Sequence, residues 1–315
     1  MGPTGSQVHH DAPLSNLAIE AFASSQDYVA GRLFPIVAVS KESDEYYTID
    51  KAAWLANHDD LRARGVAPNK IEFKVSSDSY RCVNHALREK NALEDLSNAD
   101  AALQLREQSA MNITEALLRA REIRVASKVT SISNVGSGHV PSNKWNDYVN
   151  GDPISDVRTA RAFIRKQTGL KPNVALLDED TYEVVRSHPQ LLEYFKVSGG
   201  QAMVTNAQLA EAFGVREVII GGAVYNAAKL NAAASMVNIW GNNCLFAYVG
   251  PASGLKAKTL GVGMRWTPAG IAAPLSISRY LDPDPGVAAE WVQAGHYTDD
   301  KIVAVDLGYL ISTTL

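Results

Sequence analysis

The stretch KWNDYVNGDPISDV, residues 144–157, concentrates side chains that could perform chemistry: Asp147, Asp152, Asp156, Trp145 and Tyr148. Carboxylates grouped this closely can act as general acids and bases, or can bind a hard cation. The two aromatic rings could stack on a ligand. The same residue types also suit a joint between two structural units, because Asp caps helices and large aromatic side chains anchor packing.

Spacing within this stretch favours the joint. Asp152 immediately precedes Pro153, and Asp is preferred at the cap of a helix while Pro is preferred at its first position. Asp156 would then lie in the first turn, where a carboxylate complements the helix dipole. We therefore predict that Asp152 caps a helix beginning at Pro153, and that Trp145 and Tyr148 pack at a boundary between structural units.

Other groups of residues match metal-binding or cofactor-binding motifs only in part. The seven histidines are scattered, and none has a partner at metal-ligand spacing. GSGHVP around Gly136 lacks the third glycine of a dinucleotide loop, and GVG at residues 261–263 lies in strand-like sequence, which favours a bulge or bend. NHDD at residues 57–60 could bind a hard cation, but it suits a solvated loop better. We predict no catalytic, cofactor-binding or metal-binding residues.

Composition argues against several classes of protein. The formal net charge is −4 and the basic residues are not clustered, so the sequence shows no electrostatic grip on nucleic acid. Cys82 and Cys244 are the only cysteines, which is too few for a disulfide framework and fits a reducing compartment. No apolar run reaches membrane-spanning length, and the N-terminal residues lack the pattern of a secretory signal.

Two strand-like segments enclose a charged, Ala-rich stretch. They are residues 35–50 and residues 69–83. In the second segment, Ile71, Phe73 and Val75 alternate with polar residues, which is the period of a strand with one face in water. We predict a long hairpin with a charged tip that reaches out from the rest of the molecule.

Residues 96–130 predict a long helix. Ser97 and Asp100 resemble an acidic variant of the capping box, and apolar or small residues recur at steps of three and four. About thirty helical residues would span roughly 45 Å. Such a helix can be the beam of an extended molecule, and an ordinary long helix in a bundle is the alternative.

The residues after the joint alternate between strand-like and helix-like segments. KPNVALLD indicates a short buried strand, and EDTYEVVRSHPQLLEYFK indicates a helix interrupted at its His-Pro pair. TNAQLAEAFG predicts a compact helix that Thr205 and Gln208 cap and Gly214 ends. Strand-like segments dominate the remainder of the chain. This alternation indicates a compact α/β unit.

The order of these parts resembles that of the major capsid proteins of tailed bacteriophages with the Hong Kong 97-type fold. The resemblance runs from about Asn16 to the C terminus. Its most specific pieces are KWNDYVNGDPISDVRTARAFIRKQTGLKPNVALLDEDTYEVVRSHPQLLEYFK and VTNAQLAEAFGVREVIIGGAVYN. Proteins of this group typically show an aromatic-Asp-x-x-x-Asp-Pro entry, a Gly-x-x-Pro-Asn approach to a strand, a helix ending in His-Pro, and the LAEAFGV helix.

The resemblance implies an α+β fold with four parts. Residues 1–32 would form an N-terminal arm, and residues 33–88 an extended β-hairpin loop that lies over a neighbouring subunit. Residues 89–144 and 277–315 would form the peripheral domain with its long spine helix. Residues 145–276 would form an α/β axial domain around the five-fold and six-fold axes, so that the stretch with the aspartates joins spine and axial domain.

The resemblance also implies a structural rather than an enzymatic function. The chain would self-assemble into pentamers and hexamers of an icosahedral shell that encloses double-stranded DNA and contacts it weakly. Further partners would be scaffolding, portal and decoration proteins, with no cofactor and no membrane. The protein would assemble in the cytoplasm of the host bacterium and reside in the virion. Within the extended loop, we predict subunit contacts at Trp54, Arg62, Arg64 and Phe73, because Trp and Arg are enriched in binding hot spots.

Two other functions remain open on the sequence alone. An encapsulin-like nanocompartment shell would have the same fold with protein cargo in place of DNA. A soluble α/β enzyme that uses the glycine loops at Gly136 or Gly261 would instead be a compact small oligomer with a deep pocket lined by polar groups.

Overall fold

The computed structural model describes residues 9–10, 14–15, 28–49, 55–57, 60–62, 67, 70, 75–98, 102–195, 203–229, 232–250, 258–268, 275–284 and 286–315. The helices within these ranges are Ala30–Leu33, Leu93–Asn98, Ala102–Val129, Pro153–Thr168, Glu179–Arg186, Pro189–Tyr194 and Asn206–Phe213. The strands are His9–His10, Ile36–Val39, Ser43–Ile49, Val75–Arg81, Val83–Ala92, Gly138–His139, Val174–Asp178, Glu217–Gly221, Val224–Asn226, Met236–Asn238, Cys244–Ala247, Gly261–Trp266, Ser276–Leu281, Ala289–Ile302 and Gly308–Ile311. None of the described helices is long and apolar enough to cross a membrane.

A six-stranded sheet is built around Ala289–Ile302, the central strand. The central strand pairs antiparallel with Val83–Ala92, Ser276–Leu281 and Gly261–Trp266. Ile36–Val39 adds to Gly261–Trp266 in parallel, and a two-residue strand near the N terminus pairs with the strand at 276–281. The sheet therefore combines strands from both ends of the chain.

The helix Ala102–Val129, the spine helix, packs across one face of this sheet. Ala110, Ile113 and Leu117 of the helix share an apolar cluster with Val292 and Ala294 of the central strand. The predicted long helix is confirmed over 28 residues. At 1.5 Å per residue this is a length of roughly 42 Å.

The start of the spine helix differs from the prediction. Ser97 lies in a separate short helix, Leu93–Asn98, where its hydroxyl donates to the Glu94 carbonyl at 2.8 Å. A serine near the end of a helix can bond the preceding turn as readily as it can cap the next one. Ser97 is therefore not the cap of the spine helix, and Asp100 lies outside the described residues.

A five-stranded sheet forms the core of the α/β unit, in the order Gly138–His139, Gly308–Ile311, Cys244–Ala247, Val174–Asp178 and Glu217–Gly221. The strand Val174–Asp178 is buried throughout, which explains its continuous apolar run. One face of the sheet packs against the helices Pro153–Thr168 and Asn206–Phe213, and the other packs against the end of the spine helix through Val125 and Val129.

The projecting hairpin forms a sheet of its own. Ser43–Ile49 pairs antiparallel with Val75–Arg81 and with no other described strand. At its base, Tyr46 and Tyr80 pack with residues of the six-stranded sheet such as Met264. The two predicted hairpin strands are confirmed and pack on the six-stranded sheet at their base, whereas the reach of the hairpin away from the molecule stays a prediction. Ile71 and Phe73, on which part of the alternation depended, lie outside the described residues.

The GVG segment is a regular part of the strand Gly261–Trp266, so the predicted bulge or bend was wrong. Close packing explains why glycine occupies positions 261 and 263. A Cβ on Gly261 would lie 2.2 Å from the Phe34 ring, and a Cβ on Gly263 would lie 2.8 Å from Arg121 Nη2 and 2.9 Å from Asp300 Oδ1. Neighbouring side chains occupy the space that a side chain would need.

Two strands pair within a sheet that belongs mainly to the other predicted domain. Gly308–Ile311 was assigned to the peripheral domain, but it pairs with Cys244–Ala247 in the five-stranded sheet. Gly261–Trp266 was assigned to the axial domain, but it pairs with the central strand. Strand pairing uses backbone groups that every residue carries, so a strand's own sequence does not specify its sheet. The domain boundaries themselves stay a prediction.

Candidate domain joint and subunit-contact surfaces

The helix predicted at the joint begins at the position that the sequence indicated. Asp152 is the N-cap, and its Oδ1 accepts from the backbone N–H of Ser155 at 3.0 Å. Pro153 is the first helical residue, and Gly169 ends the helix in a left-handed conformation, with φ at 73°. Asp152 and Pro153 are therefore occupied in starting a helix, and their role in joining two domains stays a prediction.

Trp145 and Asp156 belong to one partly buried polar network, the joint network, whose members are Trp145, Asp156, His139 and Tyr309. Trp145 is fully buried, and its Nε1 donates to Asp156 Oδ2 at 2.8 Å. The other carboxylate oxygen of Asp156 lies 2.9 Å from His139 Nε2, and His139 Nδ1 lies 3.0 Å from the Tyr309 hydroxyl. Burial, with the nearby Asp156 carboxylate, raises the pKa of Tyr309. Both oxygens of Asp156 are thus used in holding four chain segments together.

Asp147 closes a turn before the helix. Its Oδ1 accepts from the backbone N–H groups of Val149 at 3.1 Å and Asn150 at 3.2 Å, and its Oδ2 accepts from the Asn150 side chain at 2.9 Å. The Asn150 side chain, followed by these two N–H groups, lowers the pKa of Asp147. Each of the three aspartates therefore contributes to local structure, because Asp152 caps a helix, Asp147 closes a turn and Asp156 belongs to the joint network.

Tyr148 differs from Trp145 in its surroundings. Its side chain is 46% exposed, its ring meets His188 edge-on with centroids 5.6 Å apart, and its hydroxyl lies 3.1 Å from Ser187 Oγ. His188 in turn caps the helix Pro189–Tyr194. Tyr148 packs at the surface of the α/β unit, whereas Trp145 anchors the interior.

The last residues of the chain are held at the same place. The Trp145 N–H donates to the Thr314 carbonyl at 2.7 Å, and Lys144 Nζ donates to the Leu315 carbonyl at 2.8 Å. The Thr314 hydroxyl also lies 3.1 Å from that of Thr181. The joint therefore receives the C-terminal segment as well as the chain that leaves the spine helix.

A second polar group, absent from the sequence predictions, attaches the root of the N-terminal segment to the spine helix. Glu122 is fully buried and accepts from the N–H groups of Val29 at 3.0 Å and Ala30 at 2.8 Å, and from Trp240 Nε1 at 2.7 Å. Burial raises the pKa of Glu122, and these bonds oppose that rise. One carboxylate thus joins three distant segments.

The neighbouring helix residue makes a buried ion pair. Arg121 Nη2 lies 2.9 Å from Asp300 Oδ1 of the central strand and donates to the Phe34 carbonyl at 3.1 Å. Nothing local in the sequence marks Arg121 or Glu122, because their partners are tens to hundreds of residues away. A charged pair at adjacent helix positions in an otherwise small and apolar face is the only signal that could have drawn attention to them.

The predicted subunit contacts lie on the projecting loop. Arg62 is described and exposed, whereas Trp54, Arg64 and Phe73 lie outside the described residues. Beside Arg62, Leu61 is 82% exposed. In the described part of the chain, no group of His, Cys, Asp and Glu side chains could hold a metal ion.

No protein-family model matches the chain. Two curated relatives do. The major capsid protein of Pseudomonas phage JBD67 is 24% identical over 294 residues, which are 91% of this chain and 92% of the relative. The major capsid protein of Burkholderia phage BcepMu is 26% identical over 244 residues, which are 76% of each protein.

Solved structures share the architecture over nearly the whole chain. A phage-related protein from Bordetella bronchiseptica superposes with a TM-score of 0.74 at 22% identity, covering 97% of each chain. The mature capsid of bacteriophage PhiM1 superposes with a TM-score of 0.56 at 12% identity, covering 90% of this chain and 86% of the other. The chain has the fold of these capsid proteins. The predicted α+β fold of the Hong Kong 97 type is confirmed, and the predicted resemblance to phage major capsid proteins is confirmed by the two curated relatives.

Proposed function

We propose that the chain is a phage major capsid protein whose copies assemble into the pentamers and hexamers of an icosahedral shell around double-stranded DNA. Two phage relatives named as major capsid proteins support this function. Capsid structures that superpose over most of the chain support it as well.

The projecting hairpin carries the proposal. Its two strands pair only with each other among the described strands, and an isolated two-stranded hairpin is marginally stable in water. Beyond its anchored base, described residues such as Leu55 and Leu61 are 51% and 82% exposed. A neighbouring subunit that covers the hairpin would supply the missing burial.

The contacts on this loop are proposed at Trp54, Arg62, Arg64 and Phe73. Arg forms bidentate bonds with carboxylates, and Trp buries a large rigid surface, so both suit the centre of an interface. Scaffolding, portal and decoration proteins are proposed as further partners. The net charge of −4 suits a wall that confines DNA without gripping it.

No catalytic step is proposed for this chain. The carboxylates of the joint are taken up in capping and in the joint network. The proposed location is the virion, after assembly in the host cytoplasm.

Shortening the loop tests this function. A variant in which a short Gly-Ser linker replaces residues 50–69 should keep the circular dichroism spectrum of the parent, because both sheets lie outside the deletion. It should form no closed shells by negative-stain electron microscopy and should elute as small species from a sizing column. A matched control replaces residues 227–229, a described segment of the α/β unit, with the same linker residues. Normal shells from the loop variant would refute the role given to the hairpin.

A nanocompartment shell is the second candidate, because an encapsulin from Synechococcus elongatus superposes with a TM-score of 0.50 at 12% identity. The contents of native particles separate the two functions: DNA supports the phage capsid, and a protein cargo supports the nanocompartment. A chain that stays monomeric or dimeric at high concentration would contradict both.

A further inference from the structure

The packing between the spine helix and the central strand is apolar near the start of the strand and polar further along it. Near the start of the strand, Val292 and Ala294 lie in an apolar cluster beneath the helix. The next residues on the same face are polar and almost completely buried: His296, Thr298 and Asp300, each 4% exposed. Alternate residues of a strand point to one face, so these side chains form a single row beneath the helix.

Strand register brings two more basic side chains beside this row. His85 lies directly opposite His296, with ring centroids 6.0 Å apart. Arg265 lies directly opposite Thr298 on the strand at the other side. Directly paired residues of neighbouring strands project to the same face of a sheet. The polar row is therefore flanked by a basic residue on each side.

Arg124 of the spine helix faces the same group. Burial lowers the pKa of His85, and the charge of Arg124 lowers it further. Burial lowers the pKa of His296 to about 3, with Arg265 and Arg124 as the next causes. At neutral pH His296 is consequently neutral, so one of its ring nitrogens carries a proton to donate.

Three buried polar atoms of this group have no hydrogen-bond partner in the part of the chain that the structure describes: Arg124 Nη2, His296 Nε2 and Thr298 Oγ1. Each of the three can donate a hydrogen bond. His296 and Thr298 are both more than nine-tenths buried. These donors belong to two packed elements, the spine helix and the central strand, and the Arg124 charge is close enough to His296 to lower its pKa further.

The Arg124 guanidinium has no carboxylate of its own in the part of the chain that the structure describes. Burial lowers the pKa of the half-buried Arg124, whereas the charge of Asp300 raises it. Asp300 is paired with Arg121 at 2.9 Å, and a guanidinium forms its best hydrogen bonds with carboxylate or phosphate oxygens. Donors grouped around the Arg124 charge suit an anion with several acceptor oxygens.

We propose that this group binds a small oxyanion, of the size of phosphate, between the spine helix and the six-stranded sheet. Arg124, Thr298 and His296 donate to its oxygens. The His296 and Thr298 donor atoms are buried beneath the helix, so the ligand is a free ion rather than part of a polymer. The ion links the helix to the central strand at the level where apolar packing ends.

Inorganic phosphate is the probe that tests this proposal. The full-length chain is melted in potassium phosphate and in potassium chloride at equal ionic strength and neutral pH. Above the dissociation constant, each tenfold increase in phosphate should raise Tm by roughly 2 °C relative to chloride. Phosphate retained after exhaustive dialysis, released with acid and assayed, should be stoichiometric with the chain.

Phosphate also stabilises proteins through general exclusion from their surfaces, so variants decide the outcome. Arg124→Gln should lose the phosphate-specific rise, while its Tm in chloride is unchanged or higher, because a buried charge has been removed. Arg119→Gln is the matched control: Arg119 lies on the same helix, is 39% exposed in its side chain and pairs with Glu115, and this variant should keep the full rise. Thr298→Val preserves the shape of the side chain and should reduce the phosphate-specific rise in Tm. This variant replaces Arg124→Gln in the test if Arg124→Gln does not fold.

Equal phosphate dependence in the parent and in both site variants would overturn the proposal. A parent chain with the same Tm in phosphate and chloride, and with no retained phosphate, would overturn it equally.

Discussion

At the scale of single residues, the side chains that first suggested catalysis are engaged in holding the chain together. Asp156 shows this most clearly, because one oxygen accepts from Trp145 and the other contacts His139. A catalytic carboxylate needs an oxygen within reach of a substrate proton. The joint network instead converts an acidic, aromatic stretch into a structural anchor.

Trp145→Phe tests this anchor. The change removes the Nε1 donor, leaves Asp156 Oδ2 without that partner, and opens a small cavity at a fully buried position. We expect the free energy of unfolding of unassembled subunits to fall by about 2–3 kcal/mol, measured by urea unfolding with circular dichroism. Tyr148→Phe, at a position 46% exposed, should change it by less than about 0.5 kcal/mol. Equal losses in the two variants would contradict the difference drawn between these residues.

Asp178 makes stability depend on pH. It is fully buried, its Oδ1 has no hydrogen-bond partner among the described residues, and burial raises its pKa from 3.8 to about 6. Because the folded pKa lies above the unfolded one, its contribution to stability is complete below about pH 4. That contribution is lost as the pH rises through 6.

Asp178→Asn should remove this dependence. The amide resembles the neutral carboxyl and can still accept from the Asp180 N–H, which Asp178 Oδ2 accepts at 3.3 Å. At neutral pH we expect the variant to be about 1–3 kcal/mol more stable to urea than the parent, with little difference near pH 4. Glu211→Gln, at an exposed position on another helix, is the control. A variant that is less stable than the parent at every pH would show that the cap charge outweighs the burial.

At the scale of elements, close packing between a strand and the segment that follows the helix Ala30–Leu33 accounts for the glycines of the GVG segment. The strand Gly261–Trp266 lies between Ile36–Val39 and the central strand. The Phe34 ring lies where a side chain of Gly261 would be, and Phe34 is itself fully buried. The root of the extended loop is therefore seated directly on this strand.

Gly261→Ala should disturb the contact between this strand and Phe34. The added methyl group would lie 2.2 Å from Phe34 in the present geometry, so ring or backbone must shift. We expect a loss of about 2–3 kcal/mol in the free energy of unfolding, measured by urea unfolding. Gly222→Ala is the matched control, since the nearest atom to its Cβ is Glu179 Oε2 at 3.6 Å. If both variants were as stable as the parent, the close approach would be unimportant.

At the scale of the whole molecule, the proposed shell supplies surroundings that a single chain lacks. The two sheets and the spine helix form continuous buried clusters within the chain. Among the described residues, the hairpin packs on them through Tyr46 and Tyr80 at its base. The proposal therefore divides stability between the body of the chain and a loop that depends on its neighbours.

Proteolysis measures this dependence. Arg62 is exposed in the single chain, so trypsin should cleave after it in unassembled subunits. In closed shells, a covering neighbour should slow that cleavage by about tenfold or more, followed by mass spectrometry of the fragments. Shells that are disassembled again serve as the control and should regain the fast rate. Equal rates in shells and subunits would mean that no neighbour covers this part of the loop.

Local signals in the sequence were sufficient for the main helices and for the order of the parts, but not for the strand Val83–Ala92 or for the start of the spine helix. Asp152 with Pro153, and Thr205 with Gln208, start helices through contacts within one turn, and such contacts are readable from spacing alone. The hairpin strands and the spine helix followed from periodicity in the same way. The resemblance to capsid proteins, which rests on this order of parts, was also available from the sequence.

Only the tertiary structure decided which distant residues meet. The joint network unites residues 139, 145, 156 and 309, and Glu122 bonds to residues 29, 30 and 240. The sheet that Gly308–Ile311 joins was likewise decided by backbone hydrogen bonds, which carry no residue identity. Local spacing specifies contacts within one turn or one strand, whereas these contacts exist only once separate segments have packed together.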